Sequence, residues 1–161
     1  MSPLFKPGFS DVDFKFQNRP WIYVASPYTN GDAEVNVARQ MEAKLELLKL
    51  DTMPILPLPG SHYFHTHFCE LTYRTWIEYT KELLRGCHGL LRLPGKSDGA
   101  DGEVAEAIDM LNIPVFYNTL EVEVAMQYWD PDHKRWLFMV SDEYAEEVQM
   151  LDEIISRVKH L

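Results

Sequence analysis

The stretch HGLLRLPGKSDGADGEVAEAIDMLNIPVF, His88–Phe116, decides the fold class. HGLLRL is an apolar run too short for a helix, so it predicts a buried strand. PGKSDGADG breaks that run with glycine and carboxylates, and GEVAEAIDMLN follows with strong helix formers. NIPVF then turns apolar again, with Ile113–Tyr117 predicted as the next strand. Strand, loop, helix and strand in that order form a βαβ unit, whose strands lie parallel in one sheet.

The same rhythm extends towards the N-terminus. WIYVAS (Trp21–Ser26) predicts a buried first strand ended by Pro27, after an irregular arm over residues 1–20. Asp32 can cap a long helix in which Val35, Ala38, Met41 or Glu42, Leu45 and Leu48 recur at helical spacing. TMPILPL (Thr52–Leu58) predicts a second strand, and PLPGSHYFHTHF a loop rich in proline and glycine. LTYRTWIEYTKELLRGC has helical period through Leu71, Trp76, Leu83 and Leu84 and stops at Gly86. Beyond the βαβ unit, RWLFMV predicts an extra strand. A helix from Ser141 follows, its acidic face solvated and its apolar stripe suited to core or dimer packing. These elements predict one α/β domain over residues 21–161, a Rossmann-like or flavodoxin-like parallel sheet with helices on both faces.

Composition narrows the function classes. The 161 residues carry 15 Lys and Arg against 25 Asp and Glu, a formal charge of −10. Duplex nucleic acid draws most of its affinity from phosphate neutralisation, so a nucleic-acid polymer is a poor partner. No segment approaches the ~20 apolar residues that span a bilayer. The first twenty residues scatter charge and proline where a signal peptide needs an apolar run, which gives a cytoplasmic expectation. Cys69 and Cys87 have no CxxC spacing, and Cys87 reads as a buried, inert thiol. A small-molecule ligand is the remaining expectation.

In open α/β sheets ligands bind beyond the carboxyl ends of the strands. The loops there are SPYTNG, PLPGSHYFHTHF, PGKSDGADG and YNTLE. KSDGADGEVAEAI admits three readings. It can be a solvated turn with Ser97 or Asp101 capping a helix whose positive end favours acids. It can be a calcium loop, but Ala100 and Gly102 fall where an EF-hand needs oxygens. It can hold a catalytic carboxylate, Glu103, in the first helical turn beside an anion-binding turn. SHYFHTHFCE offers His62, His65, His67, Cys69 and Glu70, yet their spacing matches no established zinc pattern, so no metal is expected. Its Tyr63, Phe64 and His65 can instead stack on a base or pack on one another. Ser26, Tyr28, Thr29 and Asn30 follow the first strand, where a plain turn explains Pro, Asn and Gly equally well.

Ser97, Gly99, Glu103, Val104 and Ala107 form the pattern Ser-x-Gly-x-x-x-Glu-Val-x-x-Ala. It resembles the signature of the nucleoside 2-deoxyribosyltransferase-like superfamily, which includes the 2′-deoxynucleoside 5′-phosphate N-hydrolases. IYVASPYTNGD is similar to the first strand and loop of phage-borne branches that begin YLASPY. CHGLLRLPG and NIPVF resemble the strands flanking the signature, so the likeness covers about residues 21–117.

The resemblance implies cleavage of an N-glycosidic bond without a cofactor. Glu103 would be the nucleophile that attacks C1′ and forms a glycosyl-enzyme, with Tyr23 orienting it. The helix start would keep Glu103 ionised at neutral pH. Ser97, Gly99 and the amides of Ala100 to Gly102 would hold a 5′-phosphate, although Asp98 and Asp101 oppose a dianion unless turned away. Ser26, Tyr28 and Asn30 would meet sugar and phosphate, and His65 the base. Relatives often carry an aspartate four residues after a tryptophan; here Trp76 is followed by Thr80, which cannot act as an acid and would keep at most a sugar contact. The implied substrate is a (deoxy)nucleoside 5′-monophosphate, with base transfer or non-catalytic nucleotide binding as alternatives, in a homodimer or larger homo-oligomer.

Overall fold

The computed structural model describes residues 16–140. It contains the expected α/β sheet. Four parallel strands, β1 (Trp21–Ala25), β2 (Met53–Ile55), β3 (Gly89–Arg92) and β4 (Val115–Phe116), run in the order β2-β1-β3-β4. Pairing is in register from Ile22↔Gly89 to Ala25↔Arg92 and from Trp21↔Met53 to Tyr23↔Ile55. Because β2 and β3 flank β1 on opposite sides, the chain reverses direction across the sheet at β1. That reversal opens a crevice above the carboxyl ends of β1 and β3.

Strand alternation divides the core. Ile22, Val24, Leu91 and Phe116 face α1 (Ala33–Lys49) and α5 (Thr119–Ala125) through Ala43, Leu47, Val122 and Ala125. Tyr23, Ala25 and Leu90 face α3 (Tyr73–Arg85) and α4 (Asp98–Ala105) through Leu84, Ala100 and the adjoining Ala107. Each fully buried aliphatic side chain contributes about 1.5–3 kcal/mol. Period two in β1 thus sends Tyr23 to the α3–α4 face, which later fixes the site.

Several expectations need correction. PLPGSHYFHTHF is not a loop: Pro57–His67 forms α2. Pro57 and Pro59 fall in its first turn, where no backbone N–H is required, and buried Leu58 anchors it. The second strand is accordingly shorter than Thr52–Leu58. In α1 the buried stripe is Asn36, Gln40, Ala43 and Leu47, while Val35, Met41 and Leu45 are exposed. The polar pair is buried because it ties down backbone: Asn36 Nδ2 donates to the carbonyls of Tyr28 and Asn30, and Gln40 Nε2 to Val24 O.

RWLFMV does not extend the main sheet. Arg135–Trp136 (β6) pairs antiparallel with Trp129–Asp130 (β5) in a separate two-stranded ribbon, and Trp136 Nε1 donates to His88 O at 2.6 Å. YNTLE begins α5, capped by Asn118. The helix expected from Ser141 and most of the N-terminal arm lie outside the described residues. After α4 the chain widens into a π-helical turn, Glu106–Leu111, closed by the left-handed Asn112.

Candidate active site

β1 delivers Tyr23, α3 delivers Thr80 and α4 delivers Glu103 to one point beneath the crevice. Ser97, not Asp101, caps α4: its hydroxyl accepts from the Ala100 N–H at 3.1 Å. Counting from that cap, Glu103 stands in the second turn rather than the first. Its side chain faces the sheet and is 9 % exposed. The Tyr23 hydroxyl, fully buried, donates to Glu103 Oε1 at 2.6 Å. Thr80 is also fully buried; its hydroxyl donates to the Ile77 carbonyl at 3.2 Å and lies against both Glu103 and Tyr23.

Burial pushes the Glu103 carboxyl from the ordinary 4.5 up to about 7, against the opposing pull of Tyr23, Thr80 and the Arg92 charge. This corrects the expected helix-start effect. The field of unsatisfied amides fades within the first turn, and desolvation acts on the second. Tyr23 is itself raised well above 10, first by burial and then by the Glu103 charge, so it stays a hydrogen-bond donor. Asp101, two residues before Glu103, is turned away and pairs with Arg92 at 2.9 Å. Arg92 also donates to the carbonyls of Leu93 and Gly95, which fastens the β3–α4 loop.

Above Glu103 lies an open cavity of about 480 Å³, inside the range of small-molecule pockets. It brings together Ser26, Tyr28, Asn30, His65, Ser97, Gly99 and Glu103. Tyr23 and Thr80 stand behind Glu103 and are not among the residues that line the cavity. Tyr28, His65 and Trp76 form an aromatic wall, with ring centroids 5.9 to 6.3 Å apart. Tyr63 and Phe64 are not part of it: they pack on His67 and Phe68 outside the cavity. Tyr117, from YNTLE, lines a different depression beside Arg92.

The amides left open at the helix start also differ from those expected. Ala100 N–H is taken by the Ser97 hydroxyl and Asp101 N–H by the Ser97 carbonyl, so Asp98 and Gly99 present the open donors of the first turn. The Ser97 hydroxyl accepts, which leaves its own hydrogen for a ligand. Asn30 Nδ2 donates to Lys96 O at 2.7 Å, joining the loops after β1 and β3. Gly95 makes that approach possible: at φ +116°, an added Cβ would sit 2.8 Å from Pro27 Cγ.

Sequence reasoning missed Gln40 and Trp76 as cavity residues. Gln40 donates to Ser26 Oγ at 2.9 Å and accepts from Leu58 N–H, so one side chain fixes both the β1 and β2 loops. A buried polar residue leaves no mark in hydrophobic periodicity, and Trp76 enters the sequence reading as part of an apolar stripe and as the tryptophan of the resembled family, not as a cavity residue.

Among the described residues no group of three or more His, Cys, Asp or Glu is placed to hold a metal ion. No helix among them is long and apolar enough to cross a membrane. Cys87 is buried and its thiol is pushed up to about 12 by burial. No protein-family model matches the chain, and no curated protein matches it.

Proposed function

We propose that the protein cleaves the N-glycosidic bond of a (deoxy)nucleoside 5′-monophosphate, releasing the free base and the sugar phosphate. One observation carries this reading: a single nearly buried carboxylate, held by a tyrosine at 2.6 Å, forms the floor of an aromatic-walled cavity. A carboxylate so held suits attack on an anomeric carbon, and an aromatic wall suits the flat face of a base. The resemblance of Ser97, Gly99, Glu103, Val104 and Ala107 to the deoxyribosyltransferase-like signature points the same way.

In this reading Glu103 attacks C1′ while the base departs, and water then releases the sugar. The Ser97 hydroxyl and the amides of Asp98 and Gly99 receive the phosphate. A homo-oligomer, in which a neighbour covers the open rim, belongs to the same proposal. A second reading, a free nucleoside as substrate for hydrolysis or base transfer, is favoured by the lining itself. It contains no Lys or Arg side chain and does contain Asp98.

The test is incubation with a panel of canonical and modified nucleosides and their 5′-monophosphates, ribo and deoxy, scored for released base. Wild type releases base from at least one of them and Glu103→Gln from none. Preference for the unphosphorylated members selects the second reading, and a new nucleoside on adding a second base identifies transfer. Binding without base release at high protein concentration would sink both.

A further inference from the structure

A departing nucleobase carries away the electron pair of the broken bond and needs a proton. Five cavity-lining side chains are ionisable: Tyr28, His65, Tyr73, Asp98 and Glu103. Glu103 is assigned to the sugar, and Asp98 opens α4 beside Ser97 and Gly99, at the end of the cavity assigned to the phosphate. Tyr73 stands at the rim, 71 % exposed. His65 Nδ1 accepts the Leu71 N–H at 3.3 Å, so its proton is on Nε2. To become an imidazolium it would have to lose that bond, and to give up Nε2–H from the neutral ring would leave an anion. His65 can donate a hydrogen bond but is poorly placed to transfer a proton.

Tyr28 differs because it is connected. Its hydroxyl is 2.9 Å from His62 Nδ1, and His62 Nε2 is 2.8 Å from Glu34 Oε1. Glu34 is 79 % exposed at the start of α1, whereas the His62 side chain is 15 % exposed within α2. The three residues therefore form a hydrogen-bonded line from solvent to the cavity. Both ring nitrogens of His62 have an acceptor, the Tyr28 oxygen and the Glu34 carboxylate, so an imidazolium there is fully satisfied. Asn36 holds the Tyr28 carbonyl in place.

Resting on the reading of Glu103 as nucleophile, the geometry points to Glu34–His62–Tyr28 as a proton relay that supplies the leaving base. As Glu103 bonds to C1′ and the C1′–N bond breaks, the base nitrogen takes the Tyr28 hydroxyl proton. Tyr28 takes the Nδ1 proton of the His62 imidazolium, and Glu34 compensates the charge. When water attacks C1′ from the vacated side, its proton returns through Tyr28 to His62 and Glu103 leaves as a carboxylate. The cycle consumes one water and restores every group. It also supplies an acid that Thr80 cannot provide.

The experiment is a leaving-group series: the base that wild type releases best, together with analogues of that base bearing increasingly electron-withdrawing substituents. Tyr28→Phe keeps the ring, and His62→Gln keeps a polar side chain. Both are expected to lose about 10²–10⁴-fold in kcat on the parent base and progressively less as the leaving group becomes more acidic. Glu34→Gln falls less and follows the same trend. His65→Gln weakens all members of the series alike, and Glu103→Gln abolishes all of them. A Tyr28→Phe or His62→Gln loss that is uniform across the series, or no loss at all, overturns the relay while leaving Glu103 untouched. Full activity in Glu103→Gln overturns the underlying reading instead.

Discussion

The floor and the side wall of the cavity are built on opposite plans. At the floor, Tyr23, Thr80 and Glu103 come from three different elements, are almost wholly removed from solvent, and hold one another by short polar contacts. In the wall, Tyr28, His65 and Trp76 meet through rings about 6 Å apart, and beyond them Tyr63, Phe68 and Tyr73 stand largely in solvent. A buried polar cluster is costly unless complete, so its geometry is narrow. Aromatic packing tolerates displacement. On the proposed reading the floor supplies the nucleophile, and the wall meets the base and, through Tyr28, protonates it.

Four substitutions test that division. Glu103→Gln removes the floor's charge and is expected to reduce kcat on the order of 10⁴–10⁶-fold. It also stabilises the fold above neutrality. A carboxyl raised from 4.5 to about 7 keeps its proton when folded and loses it when unfolded. Stability therefore falls as pH climbs through that window, by on the order of 3 kcal/mol once pH exceeds both values. The variant should melt roughly 5–10 °C higher at pH 8 and show no such gain at pH 4; thermal scans at both values decide it.

Tyr23→Phe comes next. Losing a hydrogen bond to a charged group costs about 1.5–3 kcal/mol, or roughly 10–100-fold in kcat/KM. In wild type kcat/KM should rise with pH through about 7 as Glu103 ionises. Because the Tyr23 bond holds that carboxyl down, the rising limb of the phenylalanine variant should lie at a higher pH. An unmoved limb would break the assignment of Glu103 to the titration.

Trp76→Ala probes the wall: KM should rise about 5–100-fold from lost stacking while kcat changes little. An equal fall in kcat would mean that Trp76, and not Tyr28 alone among the wall residues, takes part in the chemistry. Thr80→Val should be the mildest, a loss of about 2–10-fold for one hydroxyl, with the pH limb moving up slightly because Thr80 also favours the ionised carboxyl. A larger loss would make Thr80 a ligand contact after all.

The floor was more legible in the sequence than the wall. Trp21–Ala25 and Gly89–Arg92 are short β-rich runs bounded by proline and glycine, and the Glu103 helix opens with a recognisable cap. Such signals are local. The state of Glu103 was not legible, because desolvation depends on what packs above it. The wall depends on α2, hidden by Pro57, Pro59 and Gly60, which ordinarily mark loops. The Tyr28–His62 contact joins residues 34 apart in sequence and appears only once that helix exists. The face of α1 was misread because Asn36 and Gln40 are buried to hold backbone, which no hydrophobic count registers.

The π-helical turn at Glu106–Leu111 accommodates one residue more than regular helical winding would. It lies between the carboxylate and β4, on the side remote from the cap. A single-residue deletion there could be absorbed by rewinding to an ordinary helix, without rotating Glu103 relative to Tyr23. The molecule thus carries a length tolerance next to its most constrained side chain, a place where one residue can be lost while the floor of the cavity keeps its shape.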